Sequence, residues 1–220
     1  MNELPFAIVG FDLDGTLLDT SRDLGAAVNH ALSLIGRPAV SDTAVSGLIG
    51  GGSRLMLRRA LALTGGDEGV DEAALYPQLL AYYEANIAAH TALYPGGAAM
   101  LDALEKAGAR LALVTNKPQP LAIKLLDELG LLGRFGCVIG GGGSYPLKPA
   151  PDALHAMVAQ LGGGRAAYVG DTTFDTRAAR AAGMPCVAVG FGFNDMAVEE
   201  LGADAVIDHF DQLLPALRAL

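Results

Sequence analysis

FAIVGFDLDGT, residues 6–16, is an apolar run that stops abruptly on two aspartates and a glycine. Its first six residues read as a strand apolar on both faces, the signature of a parallel sheet covered by helices on each side. The same pattern recurs at 110–114, 137–139, 166–169, 186–189 and, more weakly, 205–207, each run ending in a polar or glycine-rich turn. Between the runs lie segments of helical spacing. Ala98, Leu101, Leu104 and Ala107 recur by threes, Leu121, Leu125, Leu126 and Leu129 by threes and fours, and 153–161 and 176–182 are also helix-like. Strands alternating with amphipathic helices predict an α/β fold with a Rossmann-like parallel sheet.

One interval breaks the alternation. From the first strand to the second, at Arg110, no segment reads convincingly as a strand, whereas 22–35, 53–63 and 72–89 all read as helices. A simple crossover needs only about a dozen residues. An α-helical insert over 20–90 is therefore expected, inside a core formed by 1–19 and 91–220, with the Tyr94-Pro95-Gly96 turn marking the return.

Composition bounds the function. At 51% hydrophobic and 18% charged residues, the 220-residue chain is core-rich and folded. A net charge of -9 argues against a broad basic surface for nucleic acid or anionic lipid. Cys137 and Cys186 both lie in apolar runs and read as buried, reduced thiols. The N-terminal apolar run lacks a basic start and a cleavage site, and it is too short to span a bilayer, so the expected location is the cytoplasm.

In an open parallel sheet, ligands bind beyond the carboxyl ends of the strands, where helix N-termini also point. Asp12 and Asp14 follow the first strand, Thr115 and Asn116 the second, Lys148 the third through a glycine-rich loop, and Asp171 and Asp175 the fourth. Asp12 and Asp14 share a face if the segment is extended, and Gly15 lets the chain turn away. Crowded carboxylates raise one another's pKa unless a cation compensates, and Lys148 supplies one positive charge. Hard oxygen ligands with room for water suit Mg²⁺.

Simpler readings exist for single residues. An aspartate at a strand end often caps the next helix, which would account for Asp171 or Asp175 alone. A calcium-binding EF-hand is excluded because Leu17 and Asp23 stand where glycine and glutamate are required. No phosphate-loop ending GK[ST] and no dinucleotide fingerprint follows a strand.

DLDGT at 12–16, Thr115-Asn116, Lys148-Pro149 and GDTTFD at 170–175 resemble, in order and context, the four motifs of the haloacid dehalogenase superfamily. Nearly the whole chain is similar to its bacterial phosphoglycolate phosphatases, most clearly in LYPGGAAMLDALEKAGARLALVTNKP, GGGGSYPLKPAPDAL and VAVGFGFND. The resemblance implies a Mg²⁺-dependent phosphate monoesterase acting on a small metabolite, 2-phosphoglycolate, with the helical insert as a cap. It implies Asp12 as nucleophile and metal ligand, and Asp14 as general acid and base whose carbonyl also binds the metal. It further implies Thr115, the Asn116 backbone and Lys148 on the phosphoryl oxygens, Asp171 as a metal ligand and Asp175 outside it. Dehalogenation is disfavoured because superfamily dehalogenases lack an acid at the position of Asp14. The alternatives are a sugar phosphomutase of the same superfamily or a phosphatase for another small phosphorylated metabolite, and the expected assembly is a monomer or homodimer. Thr172 stands where the motif usually carries serine. In the insert loop GLIGGGSRLMLRRAL, Arg54 is a candidate for a substrate carboxylate, or else a solvated helix residue. His90 and His155 are expected on helix surfaces.

Overall fold

The computed structural model describes residues 4–220. β1 (Ile8–Phe11) lies inside a six-stranded sheet with β4 (Arg110–Pro118), β5 (Cys137–Gly141), β6 (Ala166–Gly170), β7 (Cys186–Val189) and β8 (Ala205–Ile207). The order is β5-β4-β1-β6-β7-β8, and every neighbouring pair is parallel. Alternate side chains enter opposite cores, as the two-residue strand period requires. Val9 and Phe11 join Leu113, Val169 and Val187 on one face, while Ile8 joins Ala112, Val114 and Tyr168 on the other.

Helices cover both faces. α5 (Gly97–Lys106), α6 (Gln119–Glu128) and α9 (Leu213–Ala219) bury Leu101, Leu125 and Leu217 in the first core. α7 (Asp152–Gln160) and α8 (Thr173–Ala181) bury Leu154, Met157 and Ala178 in the second. The sheet is thus the covered parallel sheet that the apolar runs predict. β4 runs on to Pro118, four residues beyond the apolar stretch, with a register irregularity between Val114 and Pro118.

The interval after β1 holds α1 (Ser21–Leu34), α2 (Asp42–Val45), α3 (Ser53–Leu63) and α4 (Glu72–Ala85). It also holds what the periodicity misses. β2 (Leu18–Asp19) and β3 (Ala92–Leu93) pair antiparallel, Leu18 opposite Leu93, in a two-stranded sheet where the chain leaves and re-enters the large one. α4 ends at Ala85 rather than 89, because Asn86 turns its side-chain amide onto the Tyr82 carbonyl at 2.9 Å and competes with the helix ladder. His90 therefore sits on an exposed bend, whereas His155 is exposed on α7.

Asp23, in the first turn of α1, is buried, and its Oδ2 accepts from the backbone N–H groups of His90 and Thr91 and from Thr91 Oγ1, at 2.9, 2.9 and 2.7 Å. One carboxylate thus ties the start of the helical segment to its end. Asp23→Ala would leave those three donors, two of them on the buried Thr91, without their acceptor. The expected loss is about 3 kcal/mol in urea unfolding; a loss below about 0.5 kcal/mol would show that the tie carries no stability.

Cys137 and Cys186 are free and buried, and burial pushes both thiols up from their ordinary value. Among the described residues, no helix is long and apolar enough to cross a membrane.

Candidate active site

The carboxyl ends of β1, β4 and β6 and the loop after β5 converge. Lys148 is buried here, with its Nζ 2.7 Å from Asp175 Oδ1, 2.9 Å from Tyr168 Oη and 3.1 Å from the Val114 carbonyl. Those three acceptors use the three N–H bonds of an ammonium group. Asp12 Oδ1 lies 2.9 Å from the same nitrogen and receives its charge, yet no hydrogen bond reaches it. Asp12 is only 4% exposed, so this oxygen is buried with the Lys148 charge beside it but without an aligned donor. A buried acceptor in that state is costly unless a further cation or donor completes it.

Asp171 follows β6 and is fully buried. Its Oδ1 accepts from Thr16 Oγ1 at 2.8 Å and its Oδ2 from the Phe193 N–H at 2.7 Å. The chain after β1 must pass very close to reach it. Gly15 has φ 86°, and a Cβ there would stand 2.3 Å from Asp171 Oδ2. No side chain fits at that position without moving the carboxylate.

Asp175 serves two ends. Its Oδ2 accepts from the N–H groups of Asp171 and Thr172 and from Thr172 Oγ1, closing a capping box at the start of α8. Its Oδ1 takes the Lys148 ammonium. Asp175 therefore caps α8 and at the same time pairs with the Lys148 ammonium. Thr172, in place of serine, keeps the hydroxyl that the box needs.

Carboxylate oxygens of Asp12, Asp171 and Asp175 all lie within 4.8 Å of one another. Burial pushes Asp12 up to about 6, with Lys148 opposing and Asp175 and Asp14 adding repulsion. Burial, then Asp175 and Asp12, hold Asp171 well above the carboxylate range. Burial alone would lower Lys148, but Asp12 and Asp175 outweigh it and keep the amine well above its usual value. The ammonium stays charged while the carboxylates beside it attract more positive charge. The carboxylates of Asp12 and Asp171, hard donors brought within 4.8 Å of one another, fit a small divalent cation.

Asp14 takes a different partner. Its Oδ1 accepts from Lys117 Nζ at 2.9 Å, and that amine also donates to Tyr83 Oη of α4 at 2.7 Å. The reading of a single cation is corrected here: four carboxylates, Asp12, Asp14, Asp171 and Asp175, meet two ammonium groups, leaving two negative charges in excess. Lys117 stands next to Asn116, within the quoted motif, but a lysine beside a strand end carries no local sign that it turns inward. Thr16, Tyr168 and Phe193 likewise carry no local sign of a role, since their contacts join residues far apart in sequence.

Asp12, Asp14, Thr115, Asn116 and Lys117 line a cavity closed from the helical segment by Ile49, Gly50, Ser53, Met56, Leu79 and Tyr83. Asn116 clamps the Lys148 backbone, its Oδ1 accepting from the Lys148 N–H at 2.8 Å and its Nδ2 donating to the Lys148 carbonyl at 3.1 Å. Its side chain is thereby committed to the loop. Arg54 is not brought to the cavity: it is exposed, ion-paired with Glu72 at 2.5 Å and placed over the Tyr76 ring.

Residues 9–189 match the haloacid dehalogenase-like hydrolase family. The chain belongs to this family. Phosphoglycolate phosphatase of Agrobacterium fabrum is 40% identical over 218 residues, covering 97% of this chain and 92% of that protein. The crystal structure of a predicted phosphoglycolate phosphatase from Haemophilus somnus 129PT is similar with a TM-score of 0.87 at 30% identity, covering 96% of this chain and 97% of the other. CbbY from Rhodobacter sphaeroides, solved in complex with phosphate, has a TM-score of 0.79 at 26% identity, covering 96% and 99%. Membership in this hydrolase family accounts for the order in which the four strand ends supply their residues.

Proposed function

We propose that this family member hydrolyses a small phosphate monoester, 2-phosphoglycolate, through an aspartyl-phosphate formed on Asp12 with Mg²⁺ as cofactor. The observation that supports it most is the meeting of the buried Asp12, Asp171 and Asp175 carboxylates within 4.8 Å of one another, with the Lys148 ammonium 2.9 Å from Asp12. The substrate is suggested by the name of the Agrobacterium fabrum relative.

Asp12 attacks phosphorus, so that an oxygen–phosphorus bond forms as the ester bond breaks. Asp14 passes a proton to the departing glycolate oxygen. It then takes a proton from the water that attacks phosphorus, and Asp12 leaves as carboxylate. Lys148, the Thr115 hydroxyl and the Asn116 N–H hold the phosphoryl oxygens, where positioning and charge supply most of the rate. Asp12, Asp171 and the Asp14 carbonyl would hold Mg²⁺, which supplies neutralising charge between a carboxylate and a phosphate dianion. Asp175 holds Lys148 and the start of α8. Residues 20–90 act as a cap over a core made of 1–19 and 91–220, and exclude water from the cavity.

Phosphate release from 2-phosphoglycolate, sugar phosphates, nucleotides and pyrophosphate, with Mg²⁺ and with EDTA, tests this. The expected result is the highest kcat/KM on 2-phosphoglycolate and loss of turnover in EDTA. Undiminished turnover in EDTA would contradict it, as would phosphate relocation within a sugar phosphate without release.

The cation also has a stability signature. Asp12 has a folded pKa of about 6 against an ordinary 3.8, so the cation-free fold binds its proton more tightly than the unfolded chain. The stability this proton contributes is complete below about pH 4 and is lost as pH rises through about 6, on the order of 3 kcal/mol. Mg²⁺ compensates where the proton is gone. Millimolar Mg²⁺ should therefore raise Tm by several degrees at about pH 7.5 and far less at about pH 5. A pH-independent shift would contradict the placement.

A further inference from the structure

Lys117 has no part in the mechanism above, yet it is buried within the site. Its side chain is 3% exposed and that of Asp14 is 13% exposed. The amine stands between two elements: the turn after β1, which carries Asp14, and α4 of the helical segment, which carries Tyr83. Tyr83 is itself buried, and all three residues line the cavity. Burial pushes the Tyr83 hydroxyl up to about 12, with Lys117 opposing, so the phenol keeps its proton and presents its oxygen lone pair to the ammonium.

We propose that Lys117 is a positioning residue that, steadied by Tyr83, fixes the Asp14 carboxylate for proton transfer, making that step depend on the seating of α4. The proposal rests on the acid–base reading of Asp14. A lysine amine ends a flexible four-carbon stem and is a point charge with freely turning donors. One contact, to Asp14, would leave it free to swing; the second, to Tyr83, removes that freedom. Lys117 is anchored from its own backbone as well, where its N–H donates to Thr115 Oγ1 at 3.2 Å. A displacement of about 1 Å at a proton-transfer group can cost on the order of 100-fold in rate. Loosening of α4 therefore reaches the chemistry through two hydrogen bonds.

The rival role is direct contact of Lys117 with a substrate carboxylate. Three substrates separate the two: 2-phosphoglycolate, ethyl phosphate and 4-nitrophenyl phosphate. The first two need a proton on the leaving oxygen, the third scarcely does, and only the first carries a carboxylate. kcat/KM is the quantity to compare, since it ends at leaving-group departure and omits the water step common to all three. Wild type, Asp14→Asn, Lys117→Met, Tyr83→Phe and the Asp14→Asn/Lys117→Met double variant are assayed with Mg²⁺, and folding is checked by circular dichroism.

Asp14→Asn should lower both alkyl phosphates far more than the aryl one. Lys117→Met should copy that pattern, with a loss of about 10–100-fold on both alkyl substrates and less than about threefold on the aryl one. Tyr83→Phe, which keeps the ring, should show the same selectivity at smaller size, and it decides the matter if Lys117→Met does not fold. The double variant should be no worse than Asp14→Asn. Equal losses on all three substrates, a loss confined to 2-phosphoglycolate, or full additivity would each overturn the proposal. Absence of leaving-group selectivity in Asp14→Asn itself would instead remove the acid–base reading, and the proposal with it.

Discussion

Asp12→Asn is expected to give a folded protein whose phosphate release falls by roughly four to six orders of magnitude. The amide has the shape of the carboxylate but not its nucleophilic oxygen charge, and the remaining groups cannot replace it. The fold should survive. Asp12 has its pKa raised chiefly by burial, so its charge is a cost to the cation-free protein near neutral pH. The neutral amide escapes that cost, and Tm in EDTA at about pH 7.5 should hold or rise. The same substitution should abolish most of the Mg²⁺-induced rise in Tm. Retained Mg²⁺-dependent turnover in Asp12→Asn, measured as inorganic phosphate over hours, would end the mechanistic account.

Lys148→Met should fail in the opposite manner, through the scaffold as well as the chemistry. The ammonium touches Asp12, Asp175, Tyr168 and the Val114 carbonyl, all of them buried. Methionine keeps the volume and removes the charge. Two carboxylates then face each other without compensation, and breaking a buried pair from one side typically costs about 3–5 kcal/mol. Because the stranded carboxylates seek protons, the deficit should grow as pH rises. Turnover in the fraction that folds should fall by about 10³-fold, the scale seen when one charge-stabilising donor is removed. Urea unfolding at two pH values together with kcat/KM checks both. A variant of unchanged stability at neutral pH would show that Asp12 and Asp175 are neutral in the native protein.

The sequence carries the sheet and its strand ends clearly, and for a physical reason. A strand covered on both faces must be apolar throughout, so β1, β4, β6 and β7 announce themselves as runs. The polar residue at the end of each run then has to be where the loops open, which is why Asp12, Thr115 and Asp171 could be named from the chain alone. What could not be read is pairing across distance. β2 and β3 are two residues each, too short to show any period. Asp14 and Lys117 are 103 positions apart, and Lys117 and Tyr83 are 34 apart, so no window holds either pair. Asp23 reads as an ordinary helix-start acid, and only the fold shows that it fastens the far end of the same segment. Arg54 shows the reverse: just after a glycine-rich stretch it reads either as a ligand for a carboxylate or as a solvated helix residue, and Glu72, 18 positions on, takes it.

Lys117 and Tyr83 also alter the electrostatic argument for a cation. One ammonium against four carboxylates argues for a divalent ion on charge count alone, whereas two ammonium groups reduce the formal excess to two negative charges. The need is now local rather than global. Lys117 neutralises the Asp14 side of the cavity, so the deficit lies with Asp12, Asp171 and Asp175, which have the Lys148 ammonium alone. A phosphate dianion arriving there would deepen it.

The measurement that bears most directly on the account is capture of the covalent intermediate. The enzyme is quenched in acid during steady turnover of 2-phosphoglycolate with Mg²⁺ and digested, and its peptides are weighed. The account predicts a phosphoryl increment on the peptide that contains Asp12, absent from Asp12→Asn and from enzyme held in EDTA. Rapid phosphate release with the increment on another residue, or with no phosphorylated peptide under any quench, would contradict it.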